Sequence, residues 1–110
     1  MGLFQLIKQR WTAKSTLPQI ADEIADGCVE AVWQRVQYHV GTLAPAEARG
    51  YIRARGIAVV QPQLALISTR HEISEHLRPQ LHALALEALI QRVQSRISAS
   101  ALHRQWRRAA

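Results

Sequence analysis

Between Leu17 and Val40 apolar side chains return every three or four residues: Leu17, Ile20, Ala21, Ile24, Ala25, Cys28, Val29, Val32, Val36 and Val40. That spacing follows the 3.6-residue turn of an α-helix. It does not follow a strand, whose two faces alternate with period two. The stripe is broad, and Trp33 beside Val32 widens it. A helix with so wide an apolar arc packs against at least two others. The chain is therefore expected to be all-α: a small antiparallel helical bundle of three to four main helices plus a short N-terminal amphipathic helix. Residues 1–15 read as that N-terminal helix and a linker. Residues 16–110 read as the bundle domain with a basic C-terminal tail.

Local punctuation sets the expected boundaries. Thr16 and Gln19 have capping-box spacing, and Pro18 sits in the first turn, where its missing N–H does no harm. Gly41 suits the position just past a helix end. Pro45, followed by Glu47, opens the next helix, which is expected to run through Val60. A residue before proline is pushed out of the helical region, so Gln61–Pro62 predicts a kink or break. Residues 63–77 are expected to continue helically as far as Arg78–Pro79. Ile57–Val60 and Leu64–Ile67 are short β-prone runs, so a hairpin competes for residues 57–67. A last long helix from Pro79 carries Leu86, Leu89, Ile90, Val93 and Ile97 as its stripe. Arg92 and Arg96 fall together on its other side, and the SAS run at 98–100 is a point of interruption before Leu102 and Trp106.

With 110 residues, 48% of them hydrophobic, the chain can bury one core. Its single cysteine, Cys28, excludes an internal disulfide and any zinc site built on several thiolates. Cys28 lies within the apolar stripe and reads as a core residue rather than a nucleophile. A lone thiol fits a reducing compartment, and the expected location is cytoplasmic. No apolar run approaches the ~20 residues that span a bilayer.

Charge narrows the function. The last acidic residue is Glu87; beyond it come Arg92, Arg96, Arg104, Arg107 and Arg108, with Trp106 among the last three. Residues 1–43 hold four basic and four acidic side chains, whereas residues 44–110 hold ten arginines and four glutamates. An uncompensated positive field points to an anionic partner. Arg49, Arg53 and Arg55 join the same candidate set, with Tyr51 one turn from Arg55 and able to stack on it. Arg49 is also expected to reach an acid of the long first helix, such as Glu30.

Ala46, Gly50, Ala54 and Ala58 recur every four residues. Glycine inside a helix costs about 1 kcal/mol relative to alanine, so Gly50 in this ladder predicts a close approach of another helix. Leu3, Phe4, Leu6, Ile7 and Trp11 form one face of the N-terminal helix, opposite Lys8 and Arg10. That face suits a sister subunit, the chain's own bundle or a membrane interface. HEISEH, residues 71–76, misses both zinc-protease spacings: Glu75 stands where HExxH needs histidine, and Ile73 where HxxEH needs it. It reads instead as two carboxylate–histidine pairs one turn apart on a wet helix surface.

No constellation meets the geometry of a catalytic set, so no enzyme activity, cofactor, metal or small-molecule substrate is expected. The expected function is a self-associating helical interaction or assembly module with a basic surface. One alternative is a nucleic-acid-binding protein using the C-terminal arginines. A second is peripheral attachment to an anionic membrane surface.

Overall fold

The computed structural model of the chain describes the backbone of residues 17–109 and the side chains of residues 17–101. The N-terminal helix expected over residues 1–15, its face of Leu3, Phe4, Leu6, Ile7 and Trp11, and the Thr16 cap lie outside the described residues. Within them the fold is all-helical. Helix α1 spans Leu17–Val36, α2 spans Pro45–Arg70 and α3 spans Arg78–Ala109. Two single-turn 3₁₀ segments, Val40–Thr42 and Glu75–Leu77, lie in the connections.

The stripe of α1 behaves as its spacing requires. Ile20, Ala21, Ile24, Ala25, Cys28, Val32 and Val36 are buried, with Leu17, Val29 and Trp33 packed at the margin. Helix α2 contributes Ala48, Ile52 and Val60, and α3 contributes Leu81, Ala85, Leu86, Leu89, Ile90 and Val93. Arg92 of α3 reaches Asp22 and Asp26 of α1, and Arg96, one turn on, reaches Glu30. The two helices therefore run parallel, with α2 returning between them in an up-down-up order. Three main helices suffice for the bundle, at the lower end of the three to four expected.

Four expected boundaries are corrected. Helix α1 ends at Val36, not Gly41, and no glycine of the described residues has a positive φ. The chain leaves through a 3₁₀ turn instead, where the Thr42 amide and hydroxyl both donate to the His39 carbonyl, at 3.3 and 2.9 Å. Val40 is thereby turned back into the core.

Pro62 neither breaks α2 nor makes a hairpin; residues 57–67 are continuous helix. The real break comes after Arg70, where Glu72 takes a left-handed φ of 52° and the Ile73 amide donates back to the Ser68 carbonyl at 3.2 Å. That six-to-one bond is the Schellman closure of a helix, here with glutamate where glycine is usual. Residues 71–77 consequently form a connection, and HEISEH is not α-helical, only Glu75 and His76 entering a 3₁₀ turn. Lastly, the SAS run does not interrupt α3, which continues to Ala109.

Close approach between α2 and α3 occurs at Gly56, not at Gly50. A Cβ on Gly56 would lie 3.0 Å from Leu86 Cδ1 and 3.3 Å from Leu89 Cδ2, whereas one on Gly50 would meet nothing within 4 Å. Ala46, Gly50, Ala54 and Ala58 are all exposed. The buried row is Ala48, Ile52, Gly56 and Val60, two residues out of phase with the expected one.

Candidate functional site

Four of the arginines assigned to an anionic partner already face carboxylates. Arg49 Nη2 donates to both oxygens of Glu87, at 2.6 and 2.7 Å, and Arg53 Nη2 reaches the same carboxylate at 3.5 Å. Arg92 Nε meets Asp26 at 2.8 Å and its Nη2 meets Asp22 at 3.3 Å. Arg96 Nη1 meets Glu30 at 2.6 Å, and its guanidinium lies 4.7 Å from the Trp33 ring centre. The reading that nothing negative balances the arginines beyond Glu87 is thus corrected for Arg92 and Arg96: acids of α1, spaced by four at Asp22, Asp26 and Glu30, face them. Arg49 pairs with Glu87 of α3 rather than with Glu30.

The charge ledger changes accordingly. Residues 17–101 contain eight basic and eight acidic side chains, so this body is formally neutral. The whole excess of +6 belongs to residues 1–16 and 102–110, which contain no acid. Arg104, Trp106, Arg107 and Arg108 sit in the last turns of the α3 backbone, and their side chains lie outside those described.

Arg35 and Arg55 are different. Like Arg70 and Arg78, neither makes an ion pair with any of the described carboxylates, but these two together line one open groove of about 370 Å³ with Tyr51, Ala54 and Ala58. The Arg55 guanidinium lies 5.1 Å from the Tyr51 ring centre, and His39 packs against the same ring at 5.8 Å, tilted by 53°. The expected Tyr51–Arg55 stack is therefore present. Two members of the small-residue ladder, Ala54 and Ala58, form part of this groove. Arg35 was absent from the sequence-based set. Its signal was weak: a single cation at the end of an acid-rich helix.

Cys28 lies in the core with its Sγ 3.9 Å from the Val59 carbonyl, and burial pushes its thiol pKa up. A buried thiol with raised pKa is a poor nucleophile. No group of three or more His, Cys, Asp or Glu side chains among the described residues is arranged to hold a metal ion. No helix among them is long and apolar enough to cross a membrane.

The hydrogen bond from Arg49 holds the Glu87 carboxyl below the ordinary carboxylate range, against a desolvation that pushes it up. A carboxyl depressed in the folded state stabilises the fold above its unfolded pKa, and that contribution is lost as pH falls through the folded value. Glu87→Gln is therefore expected to be less stable than the parent near neutral pH, with the gap closing below the carboxylate range. Urea midpoints of the two proteins across pH 2–7 measure it. A gap that persists unchanged at the acid end would mean that the charge of Glu87 is not what matters. Both partners are about 40% exposed, so the effect is modest and weakens with salt.

Comparison with known proteins gives no match to the chain among family models, curated proteins or solved structures.

Proposed function

We propose that this chain is a non-enzymatic helical interaction module that assembles through the C-terminal part of α3. The observation that carries the reading is the length of that helix. Just past Ile97, which packs against the core, Ser98, Ala99 and Ala101 are exposed, and the helix backbone runs on through residues 98–109. Those twelve residues make about three turns, or roughly 18 Å. This stretch needs no nucleation of its own, but most helical stability in proteins comes from packing of an apolar face, and a partner would supply it here. Tyr38, 81% exposed in the turn just past α1, adds an aromatic surface that the bundle itself does not use.

The full chain is expected to elute with a mass above 12.4 kDa at low and high salt alike, and a chain ending at Ala101 as a monomer. Light scattering after size exclusion measures both. A monomeric full chain at both salts would end the assembly reading.

One observation favours a second reading, a nucleic-acid binder: the excess charge is confined to the acid-free ends. Arg104, Arg107 and Arg108 with Trp106 suit phosphates and an unpaired base. In the same experiment, added single-stranded nucleic acid would then co-elute with the full chain at low salt and be released at high salt. The chain ending at Ala101 would retain little.

A further inference from the structure

We infer that the groove between Arg35 and Arg55 is a binding site for a phosphate monoester. The inference does not rest on the assembly reading, which concerns another part of the molecule. Three features of the groove converge. First, it is lined by Arg35, Tyr51, Ala54, Arg55 and Ala58, and no carboxylate is among them. Arg49, Arg53, Arg92 and Arg96 each have an acid within 4 Å, and Arg70 and Arg78, which have none, do not line this groove. A groove between α1 and α3 shows the contrast, since there Arg92 shares the lining with Asp22.

Second, the polar side chains of the groove are donors. Two guanidinium forks supply N–H groups and accept nothing, and the Tyr51 phenol can supply an O–H. Such a set matches an acceptor-only oxyanion. Two fixed cations match the −1.5 to −2 charge of a phosphate monoester better than the single charge of a carboxylate, and guanidinium geometry suits phosphate oxygens bidentately. Third, the site is partly organised without a ligand. Tyr51 is braced by His39 and carries the Arg55 guanidinium on its ring. Ala54 and Ala58 leave space that a longer side chain would fill.

The test uses the full chain and inorganic phosphate as the probe. Arginine Nε–Hε resonances are followed by NMR while phosphate is added at constant ionic strength, with acetate and chloride as separate titrations. Saturable shifts are expected at Arg35 and Arg55 with phosphate, at least fivefold weaker with acetate and absent with chloride. Arg49 and Arg70 should stay in place. Arg35→Gln is expected to weaken phosphate binding at least tenfold. Ala54→Glu, which puts an acid on an exposed groove position without touching the core, should abolish it. Equal shifts at Arg70, no saturation, or an unchanged affinity in Arg35→Gln would each overturn the site. A monomeric chain that still binds phosphate would end the assembly reading and leave this one standing.

Discussion

Leu89→Ala is expected to destabilise the bundle by about 3 kcal/mol, enough to lower the melting temperature of a domain this size by roughly 15 °C. Leu89 is fully buried, and its Cδ2 fills the space over Gly56 in the close contact between α2 and α3. Truncation removes three heavy atoms from a contact that backbone movement cannot readily close, because both helices are also held by Ile52, Val60, Leu86 and Ile90. The glycine gives a sharper version of the test. In the parent protein Gly56→Ala gains about 1 kcal/mol of helix propensity but brings a Cβ to 3.0 Å from Leu86 Cδ1 and 3.3 Å from Leu89 Cδ2. With Leu89 truncated, the second of these contacts disappears and the new methyl enters the vacated space. Gly56→Ala should therefore be more favourable in the Leu89→Ala background than in the parent, by about 1 kcal/mol. Thermal or urea unfolding of the four proteins closes the cycle. Equal effects of the glycine change in both backgrounds would mean that the two positions do not meet.

The same contact marks where the chain could be read and where it could not. α1 was legible because nine apolar residues from Leu17 to Val36 repeat on one arc; whatever they pack against, they point inward together. The stripe of α3 from Leu86 to Ile97 was legible for the same reason. α2 was harder, because it carries two ladders of period four, Ala46–Gly50–Ala54–Ala58 and Ala48–Ile52–Gly56–Val60. Each contains one glycine. Only the second contains Ile and Val, and those two side chains are the signal that places it inward. The weight given to glycine among alanines pointed to the wrong ladder, since alanine on an exposed helix face needs no packing reason: it is the best helix former.

The ion pairs were illegible for a different reason. Asp22, Asp26 and Glu30 are spaced by four, as are Arg92 and Arg96, but matching them requires knowing that α1 and α3 run parallel. Local sequence does not encode that. The groove of Arg35 and Arg55 depends on the pairing of α1 with α2 in the same way. The excess of charge was visible as a total. Its location, outside a formally neutral body, emerged only once the limits of the helices were known.

Pro62→Ala is expected to stabilise the protein by about 2 kcal/mol, most of the ~3 kcal/mol that an interior proline costs a helix relative to alanine. Pro62 has no N–H to offer the carbonyl of Ala58, and its ring crowds the preceding turn. Yet α2 passes through it without a break. The tertiary packing on either side explains why. Val60 is fully buried, Leu64 and Ile67 pack against the core, and Ser68 is buried in the last turn. Ending the helix at Gln61 would expose the partly buried Leu64 and Ile67, each worth up to about 1.5–3 kcal/mol if fully buried, and would disturb the buried Ser68, which together offset much of the local penalty. Gln61, Pro62 and Gln63 are themselves exposed, so water can meet the carbonyl that the proline leaves free. Alanine would restore the missing bond and change no core contact. A higher urea midpoint with an unchanged slope is the expected result, together with a melting temperature raised by about 10 °C. No gain would mean that the Ala58 carbonyl is already as well satisfied as a helix amide could make it. The claim that packing carries α2 across an unfavourable proline would then have lost its measured penalty.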